Sequence, residues 1–341
     1  MEKKRFSDYR NESNNNPLLS VQDLQTSFFL KRGELHAVDH VTFDVGKGET
    51  VGIVGESGCG KSMTALSIMN LVPKQNGRIT GGKILFNGEN LLDKSEAEMK
   101  QIQGNDISMI FQEPMTSLNP VLTVGWQISE NMRTHWDISA KEARMRAIEM
   151  LKKVNIPMPE RRYKEYPHQF SGGMRQRVMI AMALACNPAL LICDEPTTAL
   201  DVTVQAQILR LLETLKREND MSMILISHDL GVISQLADRV LIMYAGEIVE
   251  MGDCDEIFRD PKHPYTQALL KSVPRIERMG TNELFTIPGT VPDLVDVSAG
   301  CRFADRCQFA SEYCFTHRIA LREIGNKGRS LRCHRADEAA E

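Results

Sequence analysis

Gly55-Glu56-Ser57-Gly58-Cys59-Gly60-Lys61-Ser62 is a complete phosphate-binding loop pattern, and its flanks decide the fold. An apolar run, Thr50-Val51-Gly52-Ile53-Val54, leads into it, and a segment of helical character from Met63 to Leu71 follows. Glycines let the backbone wrap an anion with N–H groups at the start of a helix, whose positive end faces the phosphates. Lys61 supplies a point charge to the β- and γ-phosphates, and the Ser62 hydroxyl a ligand for Mg²⁺. Gly55, Ser57, Gly58, Cys59, Gly60, Lys61, Ser62 and Met63 are therefore the expected ATP-binding residues. A chance glycine-rich turn would not come with this strand–loop–helix setting.

Two further apolar runs, Leu190-Leu191-Ile192-Cys193 and Met223-Ile224-Leu225-Ile226, end at polar residues. Continuous apolar runs of this length fit strands buried on both faces of a parallel sheet, whose carboxyl ends bind ligands. Asp194 and Glu195 close the first run. Asp194 is placed to hold Mg²⁺, and Glu195, one residue on, to act as general base on the attacking water. Neighbouring strand residues face opposite ways, so both roles require the strand to end at Asp194. Before Pro196 the same pair could simply open a turn; the phosphate loop tips the balance.

Working outward, Val21 to Phe43 and Gly82 to Asn87 alternate and carry turn signals, which predicts an antiparallel β portion. From about 113 to 175 the chain is charged and helical in pattern, with helical periodicity over Lys141 to Val154. The character changes again beyond about 265, where Thr286-Ile287-Pro288-Gly289-Thr290-Val291-Pro292 is turn-rich. The expected layout is a polar arm over 1–17, an α/β nucleotide-binding domain over 18–264 and a small C-terminal domain over 265–341. The arm lacks the apolar core of a signal peptide. The longest apolar stretch, Val178 to Cys193, is broken by Asn187 and Pro188 and is too short to span a bilayer. A formal net charge of -4 argues against a dedicated nucleic-acid binder.

Of eight cysteines, Cys59, Cys186, Cys193 and Cys254 are scattered, whereas Cys301, Cys307, Cys314 and Cys333 gather in the tail. In a cytosolic chain a four-cysteine cluster suggests a metal centre more than disulfides. Tight zinc knuckles are absent, and the looser separations favour a [4Fe–4S] cluster over Zn²⁺. With zinc, His334 could replace one thiolate; four unliganded thiols are the plain alternative.

With Phe170-Ser171-Gly172-Gly173-Met174-Arg175-Gln176-Arg177 in the same order behind the phosphate loop, the chain resembles the nucleotide-binding subunit of an ABC transporter. Phe170 and Met174 stand where the family signature usually has Leu and Gln. The resemblance implies a P-loop fold with a parallel core sheet, an antiparallel β subdomain and a helical subdomain at about 113–175. It implies that two subunits meet head to tail. Ser171, Gly172, Gly173 and Met174 of one chain would then act on ATP held by the phosphate loop of the other. It assigns Gln112 to sensing Mg²⁺ and the attacking water, Asp201 to the loop crossing between subunits, and His228 to the γ-phosphate. Phe28 lies where the family stacks an aromatic on adenine, with Phe29 as competitor.

The tail narrows the resemblance to the ATPases of dipeptide and oligopeptide importers. The residues concerned are His263-Pro264-Tyr265-Thr266, Ile287-Pro288-Gly289, Gly300-Cys301-Arg302-Phe303 and Arg306-Cys307, with Gln112 to Pro120. Ser298 departs from the usual proline. The implied partners are a related but non-identical ATPase, two transmembrane permease subunits and, indirectly, an extracytoplasmic peptide-binding protein. The implied location is peripheral, on the cytoplasmic face of the membrane. A nickel or other small-solute importer of the same subfamily is the alternative, and a soluble ABC ATPase outside transport a more distant one. Neither a second cassette nor a coiled-coil insertion is present to favour the latter.

Overall fold

The computed structural model describes residues 16–112, 117–198, 200–272, 286–295, 297, 299–325 and 328–336. Most of the expected polar arm lies outside this set, as do 113–116 in the stretch after Gln112, Ala199 and Ser298. The strands are β1 (Leu19–Leu30), β2 (Gly33–Val45), β3 (Thr50–Val54), β4 (Gly77–Phe86), β5 (Glu89–Asn90), β6 (Ile107–Ile110), β7 (Leu190–Asp194), β8 (Ser222–Ile226), β9 (Arg239–Tyr244), β10 (Glu247–Asp253), β11 (Arg322–Ile324) and β12 (Arg329–Leu331). The chain forms two compact units, Met1–Leu92 with Ser227–Glu341, and Asp93–Ile226.

The first unit holds the antiparallel portion expected upstream. Its order is β2-β1-β4-β5, with β1 paired to both β2 and β4. The same unit carries the strand order β11-β12-β10-β9-β3. Within it β3 and β9 run parallel, Val51 opposite Arg239, and the other pairings are antiparallel. All five residues of β3 are buried, as a continuous apolar run in a doubly covered strand requires. At Gly52 a Cβ would come within 2.8 Å of Ile233 Cγ2, so the helix Leu230–Leu236 packs straight onto the strand.

The second unit is built on three parallel strands in the order β8-β7-β6, all fully buried. Its helices among the described residues are Glu96–Ile102, Val124–His135, Ala140–Lys153, Gly172–Ala183 and Val202–Glu218, with the single turn Pro159–Arg162. Ser139 caps Ala140–Lys153 by accepting from the Glu142 N–H, which sets the start that periodicity placed one residue later. Val202–Glu218 buries Ile208, Leu209, Leu211, Leu212 and Leu215 along one stripe and leaves its other side polar.

Compactness does not divide the chain near Pro264, where composition changes. Residues beyond it cluster with the N-terminal strands because β12 pairs back onto β10, Glu250 opposite Leu331. Arginines complete the attachment. Arg302 and Arg318 both reach Asp39 of β2, at 2.5 and 3.0 Å. Arg329 bonds the fully buried carboxylate of Glu250 at 2.5 Å, and that carboxylate also accepts the N–H groups of Lys262 and His263. A buried carboxylate with every partner supplied avoids the cost that an unpaired one would carry.

Candidate functional site

The phosphate loop leaves β3 at Gly55 and enters the helix Lys61–Ile68 through Gly60, whose φ of 103° only glycine adopts readily. The loop is packed as tightly as it is bent. A Cβ at Gly55 would lie 2.1 Å from the Met243 carbonyl oxygen, and one at Gly60 2.3 Å from that of Ala37. Gly58, also left-handed, faces open space. Lys61 is 6% exposed, and its ammonium donates to the carbonyls of Gly55 at 2.7 Å and Glu56 at 2.9 Å. Cys59 is fully buried, and burial pushes its thiol pKa up, so it enters the loop as a neutral side chain. The helix start, the glycines and a buried cation suit a polyphosphate.

In the second unit β7 ends at Asp194, and Glu195 turns out of the strand with φ +47°. The two carboxylates therefore do not follow strand alternation. Asp194 is buried at 5% exposure, while Glu195 accepts from Gln112 Nε2 at 3.0 Å and Thr198 Oγ1 at 2.8 Å. Gln112 lies two residues beyond β6, so neighbouring parallel strands deliver both side chains at their carboxyl ends.

Ser171 caps Gly172–Ala183, its Oγ accepting from the Met174 N–H at 3.4 Å. Ser171 and Gly172 are exposed, so this helix presents its N-terminus to the outside. Phe170 is buried beneath the Arg162 guanidinium, 5.5 Å from the ring centroid, which accounts for an aromatic at that place. At Gly173 a Cβ would come within 2.7 Å of Val204 Cγ1, tying the signature to Val202–Glu218. Asp201 caps that helix through the Val204 N–H at 2.9 Å.

His228 is exposed, two residues after β8. Phe28 and Phe29 occupy successive positions of β1. Phe28 is half-buried against Gly77, while Phe29 is 46% exposed with Arg78 over its ring at 5.6 Å.

Cys301, Cys307, Cys314 and Cys333 line one cavity together with His334. Cys314 Sγ lies 3.4 Å from His334 Nδ1 and accepts from the Ser311 N–H at 3.4 Å. Burial pushes the Cys301 thiol up to about 12 and raises Cys307 and Cys333 as well. Among the described residues, however, no three His, Cys, Asp or Glu side chains are grouped so as to hold a metal ion. That arrangement supports neither the expected [4Fe–4S] cluster nor the zinc alternative, whose donors must lie about 2.3 Å from one point. The scattered cysteines are buried, as expected of core residues: Cys186 is pushed up to about 11, and Cys254 packs beside the Ile233 carbonyl.

Three residues around the loop went unassigned in the sequence. Glu56 is bonded by Arg306 at 2.7 and 3.0 Å, and its N–H donates to the Tyr265 hydroxyl at 3.0 Å. The available signal was an acidic side chain inside an anion-binding loop, which calls for a cation.

Residues 38–198 match the family model described as ABC transporter, and residues 249–314 that described as the oligopeptide/dipeptide transporter C-terminal region. The chain is 55% identical over 298 residues to the oligopeptide transport ATP-binding protein OppD of Bacillus subtilis, spanning 87% of this chain and 83% of that protein. To the dipeptide transport ATP-binding protein DppD of the same organism it is 52% identical over 324 residues, 95% and 96% of the two chains. The fold is similar to the post-hydrolysis dimer of the ATP-binding cassette MJ0796 bound to ADP and Pi. That similarity has a TM-score of 0.63 at 28% identity and covers 69% of this chain and 98% of that one.

Proposed function

Because the chain belongs to the ATP-binding subunits of ABC transporters, within the oligopeptide/dipeptide group, we propose that it hydrolyses ATP to drive uptake of di- or oligopeptides. The observation that carries the catalytic part is the Glu195 carboxylate, turned out of the strand end and held by Gln112 and Thr198. The matching relatives are named for oligopeptide and dipeptide transport, which favours peptide over nickel as cargo.

Phosphoryl transfer of this kind rests on positioning and charge neutralisation, with no covalent intermediate on the protein. Lys61 and the N–H groups at the start of its helix hold the phosphates, and Phe28 stacks on the base. Glu195 takes the proton from the attacking water, which Gln112 orients and His228 helps to align with the γ-phosphate. Ser62, Asp194 and Gln112 are the residues that would hold Mg²⁺, whose charge offsets that of the phosphates. The exposed N-terminus formed by Ser171, Gly172, Gly173 and Met174 offers donors to ATP on a partner subunit, with Asp201 at the crossing loop.

Among the described residues no helix is long and apolar enough to cross a membrane. Transport therefore requires membrane partners. We assign two permease subunits, a second, related ATPase and an extracytoplasmic peptide-binding protein upstream of them, with this chain peripheral on the cytoplasmic face. Co-purification of the complex, with ATPase activity stimulated by the peptide-loaded binding protein, is the test. Turnover indifferent to every peptide offered would overturn the cargo, and failure of ATP to pair the subunits would overturn the motor.

The same reading places a [4Fe–4S] cluster at Cys301, Cys307, Cys314 and Cys333. Its support is the convergence of four thiols on one cavity. Cubane irons lie apart and take thiolates from a wrapped loop, so the donors need not crowd a single point. Such a cluster would supply a covalent cross-link among four segments of the tail.

A further inference from the structure

Two tail segments that share no secondary-structure element meet at Glu56, in the phosphate loop, and a third closes over one of them. Tyr265, fully buried in the helix Pro264–Lys271, places its hydroxyl to accept the Glu56 N–H at 3.0 Å. Arg306 grips the Glu56 carboxylate with both terminal nitrogens, at 2.7 and 3.0 Å, its own side chain only 4% exposed. The Ile287-Pro288-Gly289 turn closes over the arginine. Pro288 O accepts from Arg306 Nε at 2.8 Å, and Ile287 O lies 3.5 Å from Nη2. Gly289 has φ +76°, and a Cβ there would approach Arg306 Cγ to 3.1 Å, so glycine serves both the turn and the close passage.

The guanidinium is held from its flat side as well. Tyr244 and Phe303 lie under it at 5.6 and 5.9 Å from their ring centroids, and the Tyr244 hydroxyl is 3.3 Å from Nη1. A planar fork with its donors engaged and its face stacked has little rotamer freedom left. That rigidity passes to Glu56, whose carbonyl in turn accepts from Lys61 Nζ at 2.9 Å and from the Cys59 N–H at 3.3 Å. The chain of contacts therefore runs from the tail, through one loop residue, to the cation assigned to the phosphates.

From this we infer that Arg306 and Tyr265 are positioning residues for ATP: by fixing Glu56 they hold the phosphate loop and Lys61 in their binding geometry, making the tail part of the nucleotide site. A free loop must be ordered when a triphosphate binds, and that ordering weakens affinity. The brace removes the cost beforehand. It acts on nucleotide binding and leaves the proton transfer at Glu195 alone. The inference rests on the phosphate-loop reading above.

The test uses the full chain and a non-hydrolysable Mg²⁺–ATP analogue, with thermal unfolding followed in parallel. Tyr265→Phe removes one hydroxyl from a packed ring, so its fold should survive. It should weaken the analogue roughly fivefold, in line with loss of one well-placed hydrogen bond. Arg306→Gln and Glu56→Gln should each weaken it roughly tenfold, and the double variant no more than either single, because one contact is lost once. Arg306→Lys, which keeps charge without the fork, should fall between Arg306→Gln and wild type. In the assembled transporter KM for ATP should rise with kcat little changed. Unaltered analogue affinity in Tyr265→Phe and Arg306→Lys, with only the melting temperature lowered, would overturn the inference and leave a structural tie. Lys61→Ala is the control: if it too binds normally, the phosphate-loop reading falls and this one with it.

Discussion

Gln112 Nε2 donates to Glu195 Oε2 at 3.0 Å, joining side chains 83 positions apart in the chain. Parallel pairing of β6 with β7 brings the two strand ends side by side, and the left-handed backbone at Glu195 swings its carboxylate toward the glutamine. Thr198 bonds the same oxygen at 2.8 Å. A base whose orientation is fixed before water arrives needs less reorganisation in the transition state.

Glu195→Gln keeps the shape and removes the basicity. ATP binding should persist while turnover in the assembled transporter drops by roughly 10²–10⁴-fold, the usual loss with a general base. Single-turnover hydrolysis at saturating ATP reads this directly, and an undiminished rate would take Glu195 out of its role.

Gly173→Val tests the signature. Even a Cβ there comes within 2.7 Å of Val204 Cγ1, so Val204, its helix Val202–Glu218 or the signature turn must give way. The variant should bind ATP normally yet fail to pair when hydrolysis is blocked by Glu195→Gln. Analytical ultracentrifugation of the variant mixed with its partner ATPase should show no pairing with or without ATP; ATP-driven pairing at wild-type strength would refute the assignment.

His263 predicts a pH dependence. It is fully buried, and burial lowers its pKa from 6.5 to about 3. Its Nδ1 accepts the Tyr265 N–H at 3.1 Å, which only the neutral ring can do. Between those two pH values the unfolded chain binds a proton that the native chain does not. The stability His263 contributes is thus full above about pH 6.5 and is lost as pH falls toward 3. His263→Asn can still cap the helix without titrating. Urea midpoints from pH 7 to pH 5 should fall less steeply for that variant than for wild type. Parallel curves would remove His263 from the account.

The tail cysteines give a spectroscopic expectation. Anaerobically purified protein should be brown, with iron and acid-labile sulfide in equal amounts at about four each per chain. Cys301→Ser should lose most of both. Colourless protein free of both elements would leave four thiols as the answer.

What could be read in advance followed from locality. The loop from Gly55 to Ser62 and the runs ending at Asp194 and Ile226 each declare themselves within a few residues, because a fully buried strand must be apolar throughout. Both carboxylates can work only where the strand ends at Asp194, as it does, with Glu195 turning out at φ +47°. The attachment of the tail was not legible. Arg306 finds Glu56 250 positions away and Arg302 finds Asp39 across 263, and such pairings leave no periodic trace. The three-residue strands β11 and β12 are likewise too short for alternation to show. Composition marks where the character of the chain changes, but not the strands and carboxylates to which the tail is fastened.

The way that tail is fastened constrains what can replace it. Arg302 bonds the Ala245 carbonyl, Arg306 that of Pro288, Arg329 that of Asp260, and Arg332 those of Ile248 and Ile319. Each guanidinium reaches main chain and, in three of the four, a carboxylate by hydrogen bond as well. An ammonium gathers its three donors on one nitrogen, so it cannot reproduce a planar fork whose separate nitrogens reach acceptors on different segments. Lysine-for-arginine drift, harmless over most protein surfaces, should accordingly be unfit at these four codons.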